Sequence, residues 1–136
     1  MIDPMTPREA MLLAAAHAYG VTVHMGDLPG TLRGKYEASR ARIVLRRGMT
    51  EGQRVSALAH ELVHARRGDD GHQTRAVEAH VDEEAAGLLL GADEYARAER
   101  LVGCDPRALA VELEVTPGLV ESWQRRAAQR IPALRA

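Results

Sequence analysis

The chain has 136 residues, 46% of them hydrophobic and 27% charged, with a formal net charge of −1. That length predicts one compact domain over 1–136 with a modest core, and the near-neutral charge argues against a generic nucleic-acid or membrane-surface partner. Phe is absent and Trp occurs once, so Ala, Leu and Val must build the core, while the lone Cys104 excludes a disulfide framework and a cysteine metal site.

Thr6-Pro7-Arg8-Glu9 has the form of a helix-starting capping box with Pro at the first helical position, and Gly20 supplies the stop. The Met11-Leu12-Leu13-Ala14-Ala15-Ala16 run inside it is apolar, but Asp3 and Glu9 spoil the basic leader of a signal peptide, so a short cytosolic helix is expected. Nothing approaches the roughly 20 apolar residues of a membrane span. A first strand is read over 21–24, followed by a turn-rich loop through Gly26, Pro29, Gly30 and Gly34. Short strands follow over 35–37 and 42–46. The second leads straight into the next helix and is expected as an edge strand that an extended peptide can join by main-chain hydrogen bonds; a purely structural hairpin is the equal alternative. Tyr36 is a candidate for stabilising an oxyanion, against the commoner role of a half-buried strand tyrosine.

Thr50-Glu51-Gly52-Gln53 is a second capping box. Val55, Leu58, Ala59, Leu62 and Val63 then recur at helical spacing as one apolar face, and Gly68 after Arg66 and Arg67 marks the C-terminal stop. Within this helix lies His60-Glu61-Leu62-Val63-His64. Residues i and i+4 stack one turn apart, so both imidazoles can reach one zinc ion, and Glu61 can act as general base toward the water that the metal activates. A catalytic zinc needs a third protein ligand. Downstream, Glu78, Val81, Asp82, Ala85, Leu88 and Leu89 share one helical face. Two acids on an apolar stripe are costly without partners, and a metal accounts for both: Glu78 as ligand, and Asp82 as acceptor for the other N–H of a ligand histidine. The alternative is a solvated pair at the stripe's edge. His80 falls about 200° from Glu78 round the helix and should face away. His72 sits in the loop after Gly68-Asp69-Asp70-Gly71, where it either touches substrate or is an ordinary surface residue. The metzincin continuation is absent, its positions being Arg67 and Asp70.

The pentad, a short gap, and then Glu78-x-x-x-Asp82-x-x-Ala85-Ala86-x-x-Leu89 resemble the ImmA/IrrE group of small zinc metallopeptidases, within the gluzincins. The segments Gly34-Lys35-Tyr36 and Arg42-Ile43-Val44-Leu45 resemble that family's run into the zinc helix. The resemblance covers about residues 34 to 90. It implies zinc held by His60, His64 and Glu78, a base at Glu61, and a bacterial or phage regulatory role in which such proteins act on a repressor.

Residues 105–130 resemble a helix-turn-helix in which Leu109, Leu113, Val115, Val120 and Trp123 pack two short helices, with Glu114 in place of the usual turn glycine. Glu121 in the second helix, and Arg125 and Arg126 only near its end, suit phosphates poorly. A helical cap or partner-docking surface, with Trp123 at the contact, is therefore expected ahead of DNA binding. The fold class predicted is α+β: a minimal gluzincin-like domain with a small sheet, two zinc-bearing helices and a C-terminal helical cap. The function predicted is hydrolysis of a peptide bond in a protein or peptide substrate such as a helix-turn-helix repressor. The rival is a non-catalytic regulator acting through residues 105–130.

Overall fold

The structure, a computed structural model, describes residues 5–135, with side chains as far as Arg130. Asp3, invoked above against a signal peptide, lies outside the described residues. The described residues form an α+β fold of six α-helices and one three-stranded sheet.

Helix α1 (Pro7–Ala18) starts at Thr6, whose Oγ1 accepts the Glu9 N–H at 3.2 Å. Only this half of the expected capping box forms. The Glu9 carboxylate instead accepts from Arg54 Nε at 2.7 Å, because a charge-assisted bond is stronger than a reach back to a main-chain amide. That bond ties α1 to α2.

Strands β1 (Thr22–Gly26), β2 (Gly34–Glu37) and β3 (Arg42–Arg46) make a sheet in the order β1-β3-β2, with β1 parallel and β2 antiparallel to β3. The segment over 42–46 is thus the central strand and offers no edge to a peptide, which corrects the edge-strand expectation. Its alternation was the clue: Ile43 and Leu45 are buried while Arg42, Val44 and Arg46 are half-buried, as in a strand flanked on both sides and covered on one face. The edge on the α2 side is β2. The crossover over 27–33 that delivers β2 is held by one guanidinium: Arg46 donates to the carbonyls of Leu32 (2.7 Å), Leu28 (3.0 Å) and Gly30 (2.7 Å).

Helix α2 (Glu51–Arg67) has its full capping box, Gln53 N–H to Thr50 Oγ1 at 3.2 Å and Thr50 N–H to Gln53 Oε1 at 3.1 Å. It ends at Gly68, whose φ of 75° is the left-handed geometry a glycine adopts without cost. Helix α3 (Arg75–Leu89) is capped by Thr74 and lies along α2. Helix α4 (Ala92–Val102), which buries Tyr95 and Ala98, was not foreseen. Helices α5 (Pro106–Leu113) and α6 (Pro117–Arg135) are joined by a turn in which Glu114 takes a left-handed conformation at φ 56°. Arg8 holds that turn from α1, donating to the Leu113 and Glu114 carbonyls at 3.0 and 2.7 Å.

The core runs through all layers: Ile43 from the sheet, Val55 and Val63 from α2, Val81 from α3, Leu109 from α5 and Val120 from α6 are fully buried. Helix α6 packs against α3, and Trp123 stacks on Tyr95 with ring centroids 3.8 Å apart while its Nε1 donates to the Leu90 carbonyl. Residues 105–130 therefore close the domain as a helical cap. No helix among the described residues is long and apolar enough to cross a membrane.

Candidate metal centre

Helical spacing in α2 sets the site. His60 and His64 stand one turn apart with ring centroids 4.9 Å from each other, at an interplanar angle of 69°. Glu78, in the first turn of α3, meets both: its Oε1 lies 2.6 Å from His64 Nε2 and 3.7 Å from His60 Nε2. Donor atoms of all three residues lie within 4.8 Å of one another, the one such group among the described residues.

The opposite ring nitrogens are each engaged by a carboxylate. His60 Nδ1 is 2.8 Å from Asp82 Oδ1, one turn along α3 from Glu78. His64 Nδ1 is 2.8 Å from Asp69 Oδ2. Ionised carboxylates accept, so each Nδ1 carries the proton and each Nε2 keeps a lone pair. Two lone pairs and a carboxylate then face one point, which is repulsive unless a cation or protons occupy it. Two histidines and one carboxylate with oriented rings form a donor set suited to a divalent transition metal.

Asp69 escaped the sequence reading. It looked like part of a loop, yet the left-handed Gly68 folds the chain back so that Asp69 N–H bonds the His64 carbonyl at 3.1 Å and its side chain lands on the same residue's ring. The signal was present: an acid immediately after a C′ glycine lies over the last turn of the helix it follows. Arg67 Nε also donates to this carboxylate at 2.9 Å. The His64 hydrogen bond, with help from Arg67, holds the Asp69 carboxyl below its ordinary value.

Glu61 is buried beside the trio. Burial pushes its carboxyl above the ordinary glutamate value; His60 and His64 pull it down, Glu78 pushes it up again, and the Tyr36 main chain on β2 pulls it down. Burial disfavours a charged His60, but the Asp82 hydrogen bond and the charges of Glu61, Asp82 and Glu78 outweigh that, so its pKa is raised. Gly34 at the start of β2 makes room for Glu61: a Cβ there would sit 3.1 Å from Glu61 Cγ and 3.3 Å from Oε2. That closeness is why the strand begins with glycine.

Of the other candidates, Tyr36 is half-buried and its ring packs against the core, while its main chain lies by Glu61. His72 is exposed in the loop between α2 and α3, apart from the trio. His80 points away as its helical phase requires, pairing with Glu84 at 2.5 Å.

A family model described as "Putative metallopeptidase family (DUF6782)" matches residues 1–111. Among solved structures, a Mycobacterium tuberculosis transcriptional regulator is similar in fold, with a TM-score of 0.63 and 20% identity; the match covers 88% of this chain and 41% of that one. The chain thus spans less than half the length of that regulator. No curated protein matches the chain in sequence.

Proposed function

The chain belongs to the Putative metallopeptidase family (DUF6782), and on that premise we propose that it is a zinc-dependent metalloendopeptidase of the ImmA/IrrE kind, cleaving a regulatory protein such as a helix-turn-helix repressor. The observation that carries this reading is the convergence of His60 Nε2, His64 Nε2 and Glu78 Oε1 with a buried carboxylate, Glu61, beside them. A zinc ion bound there would supply Lewis acidity, polarising the peptide carbonyl and lowering the pKa of a water toward neutrality.

The chain's own residues do the rest. Glu61 removes a proton from the attacking water and returns it to the departing amine. Asp82 and Asp69 keep the Nδ1 protons on His60 and His64, which fixes both rings with Nε2 outward. The edge of β2 that no other strand pairs among the described residues offers main-chain groups to an extended substrate beside Glu61, and that edge takes over the role first expected of residues 42–46. The tyrosine hydroxyl of Tyr36 remains our candidate for the oxyanion, and His72 for a substrate contact.

The rival reading, a non-catalytic regulator, finds some support in the fold shared with a transcriptional regulator. Against DNA binding, the exposed side of the α5–α6 pair carries Glu112, Glu114 and Glu121. The two readings separate experimentally. Glu61→Gln should keep one zinc per chain by elemental analysis while lowering cleavage of the target by about 10²–10⁴-fold. Glu78→Ala should lose metal, and His80→Ala should not. Full biological activity in Glu61→Gln would leave the non-catalytic regulator standing.

A further inference from the structure

Beside the His60–Asp82 pair lies a cavity of about 180 Å³. Ser56 and His60 from α2 and Asp82 and Ala85 from α3 form two of its walls. The third comes from the C-terminal cap: Thr116, Gly118, Leu119 and Ser122, around the start of α6. The helix-turn-helix-like segment thus reaches the metal centre and shapes the space next to it.

The lining has a definite chemistry. Ser56 is buried and its Oγ accepts the Thr116 N–H at 3.2 Å, which leaves the hydroxyl proton free to donate. Asp82 uses Oδ1 on His60, and its Oδ2 has no protein partner among the described residues. Ser122 is also buried, its hydroxyl already committed to the Gly118 carbonyl and to Arg125. Ala85 and Leu119 supply the apolar surface. One free donor and one free anionic acceptor face a space of side-chain size. An acidic side chain would meet the Asp82 carboxylate there with no lysine or arginine in the lining, and a purely aliphatic one would leave both polar groups unpaired.

We propose that this cavity is a side-chain subsite that takes a neutral, hydrogen-bonding residue (Ser, Thr, Asn or Gln) flanking the scissile bond. The inference rests on the peptidase reading for its purpose, though the cavity's selectivity can be measured without catalysis. Gly118 gives the handle. A Cβ at Gly118 would meet nothing within 4 Å and its φ is not in the left-handed range, so the backbone accepts a larger side chain at this lining position, where it would narrow the cavity. In the first turn of α6, leucine is also a better helix former than glycine.

The experiment titrates the zinc-loaded full chain with the tripeptides Ac-Ala-X-Ala-NH2, X being Gln, Leu, Glu or Ala, and follows backbone amide shifts by NMR. The Gln peptide should bind about tenfold more tightly than the Glu and Leu peptides, since a site built for hydrogen bonds penalises a ligand lacking them. Its shifts should centre on Gly118, Leu119 and Ser122. Gly118→Leu should abolish this preference and leave the Ala peptide unaffected, with Gly118→Ala as the control for helix propensity. Equal affinity for the Gln, Leu and Glu peptides, or a Gln preference that survives Gly118→Leu, would overturn the subsite. Digestion of a proteome-derived peptide library distinguishes this from failure of the parent reading. Cleavage with no polar preference at either flanking position, unchanged in Gly118→Leu, removes the subsite and keeps the peptidase. Gln-selective binding with no cleavage keeps the selective cavity and removes the peptidase.

Discussion

At the scale of single residues, the site is a set of groups held in states that water would not favour. Glu61 is the plainest case: burial raises its pKa above the ordinary 4.5, so in the metal-free protein its charge is a cost to folding. The folded state then holds this proton more tightly than the unfolded one. The contribution of Glu61 to stability is greatest below about pH 4.5 and falls as pH rises through the raised value, levelling off above it. Glu61→Gln removes the ionisation. Metal-free Glu61→Gln should therefore melt at a higher temperature than the metal-free parent at pH 7 to 8, with the gap closing by pH 4. Calorimetry of the two apo proteins across that range checks it; a gap independent of pH would show that Glu61 is not desolvated. Gly34 is held by the same carboxylate. In Gly34→Ala the new methyl crowds Glu61 Cγ at 3.1 Å, so Glu61 must shift by a few tenths of an ångström. Because misplacement by about 1 Å can cost 10²-fold in rate, a loss of about tenfold in kcat with unchanged zinc content is expected from steady-state kinetics and elemental analysis. His60, His64, Glu78 and Asp82 were readable from the sequence because a single helical period governs each pair. Asp69 and Gly34 were not, since one depends on a chain reversal at Gly68 and the other on a strand meeting a helix from elsewhere in the chain.

At the scale of elements, caps carried most of the readable information. Thr50 with Gln53, and Thr6, each stand where the helix begins, because the orphan amides of a first turn demand a nearby oxygen. Strand pairing was harder. Alternation told that residues 42–46 form a strand but not that β1 and β2 flank it, since neighbours in a sheet are chosen by the rest of the fold. The packing of α2 beneath the α5–α6 turn was equally invisible. Gly52 lies so close to that turn that a Cβ would sit 3.2 Å from the Glu114 carbonyl carbon and oxygen and from Val115 N. Alanine in a helix is favoured over glycine by up to about 1 kcal/mol. Here the neighbour is main chain in a left-handed turn clamped by Arg8, which yields poorly, and overpacking costs about 1–3 kcal/mol. Gly52→Ala should accordingly destabilise by about 1 kcal/mol, seen as a lower urea midpoint with an unchanged slope. A stabilised Gly52→Ala protein would mean that the turn gives way more easily than its contacts imply.

At the scale of the whole molecule, the cap over 105–130 was readable as two helices around a turn, whereas its place against α3 was not, because contacts such as Trp123 on Tyr95 join separate helices and leave no trace in a local period. A metal held by His60, His64 and Glu78 would join α2 to α3 and stabilise the folded chain by mass action, about 4.1 kcal/mol at a free metal concentration a thousand times Kd. Chelation should lower the melting temperature reversibly, and His64→Ala should melt at one temperature with or without added zinc. Unchanged melting of the parent on chelation would argue against a metal in this hairpin. The order of the chain also imposes an order in time. Every group that would grip the metal, with both supporting aspartates, falls between His60 and Asp82, whereas Thr116 to Ser122 on the far wall of the neighbouring cavity come much later. On a ribosome adding about 5–20 residues per second, the hairpin emerges seconds before that wall. A nascent chain can thus meet its ion before the space beside it has any shape to select a substrate.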